Sequence, residues 1–315
     1  MSADFDSEKL KQAEKEVESV IAAGAPVVQL SIFDSLKDYV PSVAVCEQFK
    51  YTTELYADLV NKLGSCSDKE KSAFLIALKD AETINNHSME KEDPFLIMLS
   101  KRLVPISAID LLLAEIDSGK KMSLEDFIDI HDILLQGTSS SEQLGLREND
   151  LKVVASLDVR PDTKYFFGGM AISYFPLRHT EIKEAVDRLL DFINSSPRNE
   201  YDSFLLPMAC HGLIASLQLF KDGNTRYGRL VQSTMMHRFL NKDFNVDFQL
   251  PLVYGARQYA AYRSKYRELV EGIAVESDNA SWDRWFDFNL RRIQDGILYN
   301  INCLDEMKRR EKTHR

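Results

Sequence analysis

The 315-residue chain lacks the features that would assign it quickly to a membrane, a disulfide scaffold or a nucleic acid. No uninterrupted apolar run of roughly 18 residues occurs, so no membrane-spanning helix is expected. The segment Met1 to Glu18 is charged and has no signal-type apolar core, which reads as cytoplasmic; a bacterial effector delivered into a host cell would look the same. Only four cysteines are present (Cys46, Cys66, Cys210 and Cys303). They are far apart and form no CxxC or Cys/His pattern of the kind zinc sites use, so free thiols are expected. Positive charge is also in deficit. With 39 basic against 49 acidic residues the net charge is −10, which opposes the counterion release that drives nucleic-acid binding. The six histidines show no ligand spacing.

What is present is helical periodicity over a chain that is 44% hydrophobic, enough for a full core. Leu10, Ala13, Val17, Val20 and Ile21 mark an amphipathic opening helix stopped by Gly24 and Pro26. Helices are expected over Val45–Leu63 and Lys69–Asn85, separated by the Gly64-Ser65-Cys66-Ser67 turn, whose serine is a plausible cap, and over Pro94–Asp117. After Gly119, Ser123-Leu-Glu-Asp reads as a capping box opening a helix that carries Phe127, Ile130, His131 and Leu134 and stops at Gly137, before a polar Thr138-Ser-Ser-Ser-Glu loop.

Between Lys152 and Pro176 the period changes. Val153-Val154-Ala155 and Ala171-Ile-Ser-Tyr-Phe are short β-prone runs around Gly168-Gly169, which fits a single small hairpin. Helical spacing returns at Ile182–Ile193, Pro207–Leu219, Leu230–Leu240, Tyr254–Val270 and Trp282–Leu298. The tyrosines of Tyr254–Tyr266, like Trp282, Trp285 and Phe286, read as faces packed into the bundle. The organisation read from this is all-α with one β-hairpin: an N-terminal helical region over 1–117 packed on the core, a main helical domain over 118–300 and a charged C-terminal tail over 301–315, whose Lys308-Arg-Arg-Glu-Lys stretch is expected to be solvated.

One segment supports a chemical argument residue by residue: Gln218-Leu-Phe-Lys-Asp-Gly-Asn-Thr-Arg-Tyr-Gly-Arg229. Asn224 is a good N-cap for a helix beginning near Thr225. A helix N-terminus offers unpaired N–H groups and a positive dipole end to a phosphate, and Gly223 lets a backbone approach closely. Arg226 and Arg229, three apart, project from neighbouring positions and can clamp a polyphosphate with forked donors, while Asp222 can hold Mg²⁺. The residues alone also fit a plain Asp-Gly-Asn turn followed by surface arginines.

The same segment resembles the Fic (Fic/Doc) signature H-x-F-x-D/E-G-N-G-R-x-x-R, matching six of its eight fixed positions at Phe220, Asp222, Gly223, Asn224, Arg226 and Arg229. Pro207 and His211 before it, the Ile130-His131 helix, Gly145-Leu-Arg147 and Trp282-x-x-Trp285-Phe286 are similar to flanking features of the family. The resemblance implies a compact Fic-type helical bundle with a flap that aligns a target by strand addition. It also implies Mg-ATP as cofactor and transfer of AMP to a Ser, Thr or Tyr hydroxyl of a target protein. Val153, Val154, Ile172 and Tyr174 are the flap residues so implied. No nucleic-acid or membrane partner is expected, and a homodimer is allowed.

Two fixed positions depart from the signature. Gln218 stands where the family histidine takes the proton of the attacking hydroxyl; an amide can orient a hydroxyl but cannot act as a base, an expected loss of roughly 10²- to 10⁴-fold. His211 lies two helical turns earlier, about 10.5 Å along the axis, too far to replace it. Thr225 replaces a glycine whose absence of side chain leaves room for phosphate; the Doc branch, which transfers phosphate with the nucleotide reversed, also has a larger residue there. The expected function is therefore a Fic-like protein with weakened or altered nucleotidyl transfer, the alternative being an inactive nucleotide-binding pseudoenzyme or interaction module. An inhibitory (S/T)-x-x-x-E-(G/N) element, whose glutamate would pair with Arg229, is approached by Ser88-Met-Glu-Lys-Glu92-Asp93, which makes Glu92 the candidate.

Overall fold

In a computed structural model, residues 2–77, 119–136, 138–150, 154–155, 164–244 and 256–313 are described. Glu92, Val153, the expected Pro94–Asp117 helix and the end of the Lys69–Asn85 helix lie outside them. The described helices are α1 (Ser2–Ala22), α2 (Ile32–Lys37), α3 (Val43–Gly64), α4 (68–77), α5 (Leu124–Leu135), α6 (Ile182–Ile193), α7 (Asp202–Leu217), α8 (Asn224–Asp243), α9 (Ala256–Ala261), α10 (Arg263–Val275) and α11 (Asn279–Thr313). The fold is all-α with one small antiparallel sheet.

The local signals that set helix starts are satisfied in atoms. Ser123 accepts from Asp126 N (3.1 Å) while the Asp126 carboxylate accepts from Ser123 N (2.9 Å), the reciprocal pattern that satisfies two orphan donors at the head of α5. Ser67 and Glu70 do the same for α4. Three boundaries differ from the sequence reading. α7 begins at Asp202, so Pro207 lies inside the helix rather than at its start. The Tyr254–Val270 run is divided, with Tyr262 between α9 and α10. The helix does not stop near 300: α11 runs on to Thr313, with Ile301 and Leu304 buried and Lys62 of α3 paired with Asp305 at 3.0 Å. The alternation of charged and apolar positions there is one face of a helix, which its high charge content masks.

The centre of the molecule is α7, buried along its whole length and flanked by α6, α8, α10 and α11. Close approach is enabled by glycine: a Cβ on Gly212 would meet Trp285 and Ile273, and one on Gly228 would meet the His211 ring at 2.7 Å. Trp282, Trp285 and Phe286 are buried, as are Tyr259 and Tyr266, while Tyr262 remains half exposed.

The sheet has three strands rather than two. β1 (Val154–Ala155), β2 (Phe166–Phe167) and β3 (Met170–Tyr174) lie in the order β1-β3-β2, all antiparallel. Gly168 and Gly169, with φ of +55° and +79°, form the β2–β3 turn, the conformation a two-residue hairpin loop demands. The two-residue β2, next to that turn, was too short to show a period in the sequence.

Candidate functional site

The segment 218–229 forms an elbow between two buried helices. α7 ends at Leu217, Gln218 turns into the left-handed region (φ 52°, ψ 53°), and α8 begins at Asn224 after Gly223 (φ 74°). Left-handed backbone is costly for a side chain other than glycine or asparagine, so Gln218 must be held by its surroundings. It is: Arg147 Nε donates to its carbonyl (3.1 Å), its own amide donates to Ala215 O at the end of α7, and its Oε1 accepts from Asn224 Nδ2 (3.3 Å).

Asn224 is not the N-cap expected from the sequence. It is the first residue of α8, and its side chain reaches back across the loop, accepting from Phe220 N (2.9 Å) and donating to Phe220 O (3.0 Å). Gly223 is required for a different reason than ligand approach. Besides its positive φ, a Cβ there would sit 2.7 Å from Leu135 and 3.1 Å from His131 on α5.

Two further segments fix the elbow. Residues 145–147 run antiparallel to it, with Arg147 N donating to Leu219 O (2.9 Å) and Lys221 N to Gly145 O (3.3 Å). Arg147, 5% exposed, spends its guanidinium on the carbonyls of Gln218, Asn149 and Leu177, and burial pulls its pKa down. From α5, His131 Nε2 lies 2.8 Å from Asp222 O, and its ring stacks on Phe220 at 3.7 Å. Beside it, Asp132 accepts from Gly145 N (2.9 Å), so one helix turn anchors both strands of this pairing. Burial lowers the His131 pKa, partly offset by Asp132.

Asp222 keeps a half-exposed carboxylate. Its Oδ1 accepts from Gly223 N and its Oδ2 from Ser140 Oγ, each at 2.6 Å. Ser140 in turn accepts from Arg226 Nη2 at 3.1 Å. An oxygen donor oriented from two sides suits a hard divalent cation. Arg226 and Arg229 are each 2% exposed, so a polyphosphate reaches their guanidinium groups only when the atoms packed over them give way. Thr225, just before Arg226, is half-buried.

His211 does not join this site. It is wholly buried between α8 and α10, bonded to Gln232 at Nδ1 and 2.8 Å from Tyr266 Oη at Nε2, with Trp285 and Tyr259 edge-on to its ring. Burial first, then the Arg229 charge, depress its pKa to about 3. It is a neutral packing group at neutral pH.

Of the flap residues named from the sequence, Val154 is half-buried on β1, while Ile172 and Tyr174 are buried on β3, the central strand, whose two edges are taken by β1 and β2. Their side chains serve packing, and among the described residues β1 pairs with β3 at Ile172 and Tyr174 while β2 pairs with it at Met170 and Ala171. Sequence reasoning missed Ser140 altogether and saw Arg147 only as a flanking feature. Ser140 sits in a polar loop with nothing local to single it out, and the Arg147 contacts cross 30 and 71 residues.

Residues 121–236 match the family model described as Fic/DOC family. No curated protein matches the chain. Among solved structures, a Fic family protein from Desulfovibrio desulfuricans G20 superposes with a TM-score of 0.57 at 12% identity, covering 84% of this chain and 76% of that one. A Fic domain containing signaling protein from Bacteroides thetaiotaomicron VPI-5482 gives 0.55 at 12% identity, covering 81% and 98%. At such identities the likeness concerns the fold, and the family match adds the segment that carries the elbow. Residues 121–236 thus match the Fic/DOC family model, on a fold that the chain shares with Fic family structures.

Proposed function

We propose that the elbow 218–229 is a seat for the polyphosphate of a Mg-bound nucleotide, ATP being the first candidate. Gly223, Asn224 and Thr225 contribute the head of α8, a 20-residue helix whose dipole favours an anion. Arg226 and Arg229 neutralise phosphate oxygens, and Asp222 holds the cation, which when bound draws charge from the phosphates. The observation that carries this reading is the triad Ser140–Asp222–Arg226: a carboxylate and a guanidinium joined through one hydroxyl at a helix head, with the carboxylate half exposed.

In nucleotidyl transfer, a Ser, Thr or Tyr hydroxyl oxygen of a target protein would bond to the α-phosphorus and pyrophosphate would leave. The hydroxyl proton must go to solvent, because Gln218 has no basic lone pair near neutral pH. Transfer is therefore slow. A second reading, a nucleotide-holding pseudoenzyme, draws support from Gln218 itself: both ends of its amide are engaged within the elbow, which leaves it a structural rather than a substrate-facing role. The candidate inhibitory residue Glu92 belongs to this proposal as the partner of Arg229.

Incubation with α-labelled ATP separates the two. Under the transferase reading the native chain labels proteins weakly and Gln218→His raises labelling at least about tenfold, part of the 10²- to 10⁴-fold that a base contributes. Labelling that stays at background in both proteins, with nucleotide binding intact, favours the pseudoenzyme.

A further inference from the structure

The sheet carries a burden that the elbow does not explain. Val17, Ala25, Ile172 and Phe175 form a hydrophobic cluster of their own, separate from the main core, with Val20, Ile21, Val27, Tyr165 and Phe167 packed around it. Val17, Val20 and Ile21 lie on the apolar stripe of α1, and among its described side chains the buried one, Val17, belongs to this cluster and not to the main core. Polar contacts follow the same path. Glu18 pairs with Arg178 through both oxygens (2.7 and 3.2 Å), and Glu16 accepts from Gly168 N in the β2–β3 turn (3.3 Å). Behind α1 the chain pairs with the end of β3: Phe175 N donates to Pro26 O (2.8 Å) and Val28 N to Phe175 O (2.9 Å). Val28 enters the main core, so the chain is fixed there, just past the turn at Gly24 (φ 95°) that follows the end of α1.

These contacts bear on how a protein segment could dock. Within Met170–Tyr174 one edge of β3 is paired by β1 at Ile172 and Tyr174 and the other by β2 at Met170 and Ala171, and at Phe175 the next position is taken by residues 26–28. α1 itself packs on β2. A strand added to β2, or a chain laid on Ile172 and Phe175, must take the place of α1.

We propose that α1 is an intramolecular strap that holds the flap sheet shut, and that its release regulates docking of the target protein. This rests on reading the sheet as the target-docking flap. The strap is suited to release because its latch is a half-exposed ion pair and a four-residue cluster, both weak beside the main core. Its removal would uncover the apolar face of Ile172 and Phe175 and free the Gly168 amide.

Hydrogen exchange on the full chain tests this, with Val17→Asp to break the cluster, Glu18→Arg to reverse the latch, and Glu14→Arg as a control of equal charge change at an exposed position. The expected result is exchange in residues 164–175 faster by about tenfold in Val17→Asp and by a smaller factor in Glu18→Arg. Exchange should be unchanged in Glu14→Arg, and unchanged in α7 and α8 throughout. Unaltered flap exchange in Val17→Asp, or equal acceleration of α7 and α8, overturns the strap. Labelling with α-labelled ATP is then compared. If the flap opens as expected and no protein is labelled by parent or variant, the transferase reading fails while the strap stands.

Discussion

The elbow and the flap lie at opposite extremes of the same domain. In the elbow every turn of backbone is held from at least two sides: Gln218 by Arg147 and Asn224, Phe220 by Asn224 and His131, Asp222 by His131 and Ser140. The flap has strands of two, two and five residues, half-exposed Phe166 and Met170 at its tip, and a separate small cluster beneath it. A site that must present donors in a fixed array is built into the core, where displacement costs packing. A surface that must accept varied chain segments is built where opening is inexpensive.

That contrast can be broken by substitution. The largest effect is expected at Arg147, which joins the two regions by bonding Gln218 at the elbow and Leu177 just beyond the flap. Arg147→Met leaves several buried carbonyls without donors and should cost about 3–5 kcal/mol in denaturant unfolding, with nucleotide affinity falling too. A cost below about 1 kcal/mol would show the elbow to be less dependent on this residue than its contacts indicate.

Two glycines with nearly the same φ sharpen the comparison. Gly223→Ala combines left-handed strain with a clash against Leu135 and His131, about 2–4 kcal/mol. Gly169→Ala has open space around its new methyl, and only the backbone term of about 1–2 kcal/mol remains. Equal unfolding midpoints for the two variants would refute the claim that the elbow is closely packed around its glycine while the flap turn is open.

His211 gives the smallest effect, visible only as pH changes. Its folded pKa lies below the ordinary 6.5, so its contribution is complete above pH 6.5 and is lost as pH falls toward about 3. His211→Gln removes that titration. The gap in stability between the native chain and this variant should shrink by about 2 kcal/mol between pH 7 and pH 5. A gap that stays constant would show that the folded ring titrates in the same range as the unfolded one, so that burial does not depress it.

Much of this was legible in the sequence because it is local. The Ser123 capping box, the three-and-four spacing of Trp282, Trp285 and Phe286, and the run Phe220 to Arg229 each place their chemistry within one helix turn or one loop. What escaped is long-range or sits against local preference. Ser140 reaches Asp222 across 82 residues. Asn224, a favoured capping residue, instead ties the loop behind it, because Gly223 already turns the chain and the Phe220 backbone would otherwise be buried without partners. Pro207 reads as a helix start, yet the tertiary environment carries α7 through it. The strap depends on contacts between residues about 150 apart, which no window of sequence contains.

The central claim is that the head of α8, with Asp222, Arg226 and Arg229, seats a polyphosphate. Calorimetric titration of the native chain with Mg-ATP tests it most directly, with Arg226→Ala/Arg229→Ala alongside. Saturable heat for the native chain, lost or at least about tenfold weaker in the double variant and reduced when Mg²⁺ is withheld, is the predicted result. No heat and no thermal shift at millimolar nucleotide, or equal heat from both proteins, would contradict it.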